Sequence, residues 1–176
     1  MDSFFKISLE IFKVLTPFII SLIVYLIWHK QKEKEVIATE AKNSIALLNV
    51  MSTKTDELYQ LMGAMIDTYP PINPTKEMLK NFNDKIDELD KKRLEIFYSA
   101  LFICDAKKDV TLETYFVEQD YAFKSTISKL RIFSQEITTI EDVNESKQLA
   151  FDFNYALIRD NYAYKRILLE IALYRK

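Results

Sequence analysis

Few residues here carry acid–base, nucleophilic or metal chemistry. His29 is the only histidine and Cys104 the only cysteine in 176 residues. A zinc site needs a cluster of Cys and His ligands. A di-iron bundle needs two Glu-x-x-His pairs, and a Ser-His-Asp or Cys-His arrangement needs a histidine with a positioned partner. One histidine far from one cysteine meets none of these demands. Cys104 closes the apolar run LEIFYSALFIC, where a thiol is expected to be buried and inert, because activation needs a nearby positive charge or a helix N-terminus. A single glycine leaves no material for a phosphate-cradling loop or an EF-hand turn. The expectation is no catalytic residue, no cofactor and no metal.

One polar constellation stands out within an otherwise apolar periodic segment. IRDNYAYKR places Arg159, Asp160, Asn161, Tyr162, Tyr164 and Arg166 on one helical stretch. The Arg159-x4-Tyr164 spacing resembles the Arg-x4-His signature of HEPN-type helical ribonucleases, which are small all-α proteins. Tyr164 stands where that motif has its histidine, so the group that would move protons is missing and no nuclease activity is expected. The structural expectation for Arg159, Asp160 and Tyr164 is a polar cluster pairing with a neighbouring helix. Asp160 falls near the apolar stripe, where a buried charge pair would fix helix register.

The elements that position these residues begin with a membrane span. Val14 to Trp28, VLTPFIISLIVYLIW, contains no charge and is followed at once by HKQKEKE. Its aliphatic and aromatic residues, Phe18, Ile19, Leu22, Ile23 and Leu26 among them, each favour insertion near a bilayer centre by about 0.3–0.6 kcal/mol. Extended back to Ile11, the segment covers about 27 Å of a roughly 30 Å hydrocarbon core. Tyr25 and Trp28 sit where amphipathic rings prefer the interface. Pro17 either kinks this helix or starts its well-formed part, with Thr16 as cap. No small-residue cleavage site follows, so an uncleaved anchor is expected rather than a signal peptide. Lys30, Lys32, Lys34 and Lys42 follow the span, against Lys6, Lys13 and the amino terminus before it. That bias places the C-terminal part in the cytoplasm and the anchor in the inner membrane.

Beyond the anchor the apolar residues keep helical periods throughout. Leu48, Met51, Thr55, Leu58, Met62, Met65 and Tyr69 step by 3 and 4, the seam of a coiled coil or bundle helix. No breaker separates Trp28 from Tyr69, so the anchor is expected to run straight into this helix and end at Pro70–Pro71. Gly63, inside it, offers a neighbour close approach. Asn73–Pro74 reads as cap and first turn of a second helix carrying Leu79, Phe82, Ile86, Leu89, Arg93, Ile96, Ala100 and Ile103. Residues 94–104 are apolar on nearly every face and are expected to be covered on every face, either at the centre of the bundle or by contact with another chain. A third helix begins near Thr111, and TTIEDVNES is a connection or the start of the fourth. The scarcity of glycine argues against sheet.

The expected fold is all-α, with a single N-terminal transmembrane helix continuous with an antiparallel, up-down-up-down four-helix bundle. Residues 1–28 form the N-terminal segment and anchor, 29–69 the juxtamembrane stalk and first bundle helix, and 70–176 the remaining three helices. Net charge is −2 with acids and bases mixed, which offers no basic stripe for nucleic acid. The expected function is non-enzymatic: a membrane-anchored interaction or scaffold protein holding a partner protein or a homo-oligomer at the bilayer. The surfaces expected to serve it are the heptad seam (Leu48, Met51, Leu58, Met62, Met65) and the second-helix residues Phe97, Leu101 and Phe102. One alternative is a membrane-acting effector of toxin, lysis or phage-defence type, its anchors meeting through Ser21 and Tyr25. Another is a helical sensor that binds a small ligand in the bundle.

Overall fold

The computed structural model describes residues 2–66, 74–136 and 139–173, with side chains at 9–64, 74–135, 139, 141–156 and 162–173. Among the described residues the fold is entirely helical: α1 (Asp2–Ile66), α2 (Lys76–Lys107), α3 (Val110–Glu136) and α4 (Ile140–Ala172).

α1 is one uninterrupted helix of 65 residues, about 98 Å long at 1.5 Å per residue. It runs through Pro17. Thr16 does not cap it; its hydroxyl donates to the Phe12 carbonyl one turn back. Pro17 thus neither starts nor ends the helix, since one missing N–H among so many intrahelical bonds costs too little to break it. The expected end at Pro70–Pro71 lies outside the described residues.

The other boundaries follow local chemistry. α2 starts at Lys76 with Thr75 as N-cap, its side chain accepting from the Met78 N–H. The cap is therefore Thr75 and not Asn73, and Pro74 precedes the helix. α2 persists to Lys107, and Lys108 takes a left-handed φ of 54° that turns the chain. Asp109 then accepts from the Leu112 N–H and opens α3. Thr139 and Asp142 form a reciprocal capping box, so IEDVNES belongs to α4 and not to a connection.

From Ile37 onward α1 packs against α2 and α4; α3 packs against α2 and, more lightly, α4. Between α1 and α2, the small side chains of Ala38, Ala41, Ser44, Ser99 and Ala100 are buried, and the Ser44 and Ser99 hydroxyls share a hydrogen bond. Further along, Lys85 donates to Glu57. α2 and α3 meet through Arg93–Asp120, Arg131–Asp87 and the Ser134 hydroxyl donating to Asn83. α3 and α4 meet at Phe116–Tyr164 and Phe123–Phe153. α1 and α4 meet where Asn154 reaches Ser52 and Asp56 and where Tyr59 lies against Phe151. Leu48, Met51, Leu58, Met62, Ile86, Leu89, Ile103, Ile127 and Leu130 fill the core they enclose. Each contributes roughly 1.5–3 kcal/mol of burial.

Candidate functional site

The site has two parts, set by what covers α1. Every described side chain from Leu9 to Val36 is exposed except Thr16. These 28 residues, about 42 Å of helix, include Phe18, Ile19, Leu22, Ile23, Leu26 and Trp28, all at least half exposed. This is the one helix among the described residues long and apolar enough to cross a membrane. At its end Tyr25 packs near Trp28 (6.5 Å between centroids) and stacks on His29 (6.1 Å, 15°). His29 is thereby part of an aromatic collar. Immediately after it, Lys32 pairs with Glu35 at 2.8 Å and holds that carboxylate below its usual range. Charge therefore begins within one turn of the aromatic ring pair.

The second part is the end of the body nearest that collar. The end of α2 lies beside Ile37, and with the start of α3 it also lies beside the end of α4. Two grooves open there. One, about 320 Å³, lies between His29, Lys32, Glu33, Val36 and Ile37 of α1 and Phe102 and Ala106 of α2. The other, about 460 Å³, lies between Leu112 and Tyr115 of α3 and Ile167 and Ile171 of α4, with Lys107, Asp109 and Thr111 at its rim.

The residues expected to form an interface separate. Leu48, Met51, Leu58 and Met62 are 0–1 % exposed and face the protein's own core. Their seven-residue rhythm is occupied by α2 and α4, and they offer nothing to another chain. The Met65 side chain lies outside the described residues. Phe97 and Leu101 are half-buried, and Phe102 is exposed at the first groove. Residues 94–104 are consequently not buried all round: Ile96, Ala100, Ile103 and Cys104 face inward while Leu94, Tyr98 and Phe102 remain outside. α3 covers one side of this segment and α1 another, and the third stays bare.

The polar cluster also divides. Tyr164 is 3 % exposed and packs on Phe116 at 4.7 Å, with Tyr115 edge-on at 6.1 Å. Burial, reinforced by Cys104, Tyr115 and Asp120 nearby, raises its phenol far above the ordinary range. It is a core aromatic and not part of a polar face. The Arg159 and Asp160 side chains lie outside the described residues. The buried charge group is instead Arg93, which reaches Asp90 at 2.8 Å and Asp120 at 2.5 Å. Burial works against its charge, but the hydrogen bonds and charges of both carboxylates outweigh that and raise its pKa. Arg93 stood on the apolar stripe of its helix, which was the available signal. Nothing in the spacing identified Asp120 as its partner. The pocket at this group, lined also by Phe116, Gln119 and Tyr164, holds about 10 Å³, space for one water at most.

Cys104 is 2 % exposed, and burial together with Glu113, Asp109 and Asp105 pushes its thiol up to about 11. A thiol so held is a poor nucleophile. Comparison with protein-family models, with curated proteins and with solved structures finds no match.

Proposed function

We propose that this chain is a single-pass membrane protein whose helical body holds a partner protein, or a second copy of itself, at the inner membrane. The observation that carries this reading is the division of α1. One rigid helix is uncovered from Leu9 to Val36 and then buries Leu48, Met51 and Leu58 completely. The same element is fitted to two solvents, lipid along its first half and its own body along its second. A long apolar patch with no protein cover is what a bilayer satisfies.

We read the body as an antiparallel up-down-up-down four-helix bundle. In support, the paired positions run in opposite order along each neighbouring pair: 44 with 99 and 57 with 85, 93 with 120 and 83 with 134, 116 with 164 and 123 with 153. In that arrangement both grooves face the bilayer. The lysines after the span orient the body to the cytoplasm.

Alkaline extraction of membranes tests the anchor; the chain is expected in the pellet, and recovery in the aqueous fraction overturns the reading. Orientation is read by a membrane-impermeant maleimide on Tyr121→Cys, an exposed site on α3, because Cys104 is buried. No labelling in intact cells and ready labelling after lysis are expected.

A second reading, a sensor, draws on the 460 Å³ apolar groove beside Leu112 and Ile171, a volume within the range of small-molecule sites. It would place the ligand at the membrane-facing end and not in the bundle interior.

A further inference from the structure

α1 leaves no slack between the apolar span and the body. The helix is continuous from Asp2 to Ile66, so helix rise alone fixes the height of the body above the span. α2 heads back toward the span: Ser99 meets Ser44, and further along Ala106 shares a groove with His29, Lys32 and Ile37. Trp28 lies about 24 Å from Ser44 along α1, and Lys108 about 14 Å from Ser99 along α2. The turn between α2 and α3 therefore stands about 10 Å above Trp28. A headgroup layer is about 5–7 Å deep on each side of the hydrocarbon core. α3 packs on α2 and α4 and not on α1, which sets its axis about 13 Å across the body from α1. A tilt of about 20°, ordinary for a single span, lowers the start of α3 by about 4 Å when it is directed that way.

The residues at this end suit such a position. Val36, Phe102, Val110 and Leu173 are 46–73 % exposed, with Val110 the most exposed and at the tip of the turn. At the opposite end, over 58–64, 76–85, 130–135 and 141–147, Ile132 is the one exposed large apolar side chain among the described residues. Toward that end the surface is closed by ion pairs instead, Lys54 and Lys85 on Glu57 and Arg131 on Asp87. Across the turn, Asp105, Lys107, Lys108 and Asp109 carry two charges of each sign. That balance gives no pull toward an anionic surface and matches headgroups that carry both signs.

We propose that the turn between α2 and α3, with Val110 at its tip, rests on the headgroup layer of the leaflet from which α1 emerges, its partner being zwitterionic phospholipid. The proposal rests on the membrane reading of α1. A spanning α1 with no linker holds this end against the headgroups whatever its intrinsic affinity for them. Val110 and Phe102 then meet the interfacial region, which accepts apolar side chains from a body already tethered to it.

The test uses the full chain reconstituted in phosphatidylcholine vesicles, with Val110→Cys and Ile132→Cys introduced singly on α3 and the buried Cys104 left in place. Each introduced thiol carries a polarity-sensitive fluorophore, and a headgroup-labelled nitroxide lipid serves as quencher. At 110 the emission should shift to the blue and lose most of its intensity to the quencher; at 132 neither should happen. Inserting one helical heptad after Lys34 raises the body by about 10 Å with little rotation, and the quenching at 110 should fall to the level at 132. Quenching at 110 no greater than at 132, or quenching that survives the inserted heptad, would overturn the contact. Quenching that appears only when phosphatidylglycerol is added would overturn the zwitterionic partner. Flotation of the vesicles separates the two readings: a floating chain without quenching at 110 overturns the contact and leaves the anchor standing, whereas a chain that does not float overturns both.

Discussion

Arg93 shows how one residue departs from the pattern around it. Its place on α2 is one where an aliphatic side chain would suit the core, and its charge is tolerated only because Asp90 and Asp120 meet it. Arg93→Ala should lower stability by about 3 kcal/mol, since Asp120 then stays in the body without its cation. Adding Asp120→Ala should recover part of that loss in a double-mutant cycle read by urea denaturation. Cys104 makes a different prediction. Its folded pKa of about 11 lies above the unfolded value of 9.0. Its contribution is therefore intact below pH 9.0 and is lost as pH rises from there through about 11. Cys104→Ala should flatten the fall of the urea midpoint between about pH 8 and about pH 10.5 relative to the parent.

At the scale of elements, caps and breakers decided the ends. Thr139 with Asp142 is a capping box visible in the residues themselves. Thr75 displaced Asn73 as the cap of α2 because its side chain reaches the Met78 N–H, a choice between two good caps that spacing does not make. Gly63 sits in α1 opposite α4, where an added Cβ would meet the Lys147 side chain at 3.4 Å, ordinary contact with a flexible group. Gly63→Ala should therefore stabilise the body by up to about 1 kcal/mol, the helix propensity that glycine forgoes. Thermal unfolding followed by circular dichroism checks this; a loss of stability would mean that α1 and α4 lie closer than the structure places them. The segment 94–104 carries the opposite lesson. Apolar residues all round a helix require cover, but Leu94, Tyr98 and Phe102 are left outside.

For the whole molecule, α1 carries an uncovered apolar stretch and a stretch packed on the body, separated by charged residues that begin just past Trp28. Leu22→Lys, near the centre of the apolar span, should cost about 2.5–3.5 kcal/mol of insertion. The membrane-bound fraction should drop on fractionation while the helical signal of the body is unchanged, since no described residue of the body touches Leu22. A body that unfolds with this change would show that the span is packed on protein.

Polarity and period are carried by neighbouring residues along the chain. The apolar span, the helical class and the continuity of α1 from Trp28 onward were therefore legible before any packing was known. Which apolar residue faces inward depends on how four helices are rotated and paired, and that is a property of residues far apart in the chain. Only the tertiary structure turned Leu48, Met51, Leu58 and Met62 toward the protein's own core, brought Asp120 to Arg93, and divided the aromatic residues of α4 between Phe153 and Tyr164 inside and Phe151, Tyr155 and Tyr162 outside. The physical reason is that a coiled-coil seam has the same spacing whether its partner helix belongs to the same chain or to another.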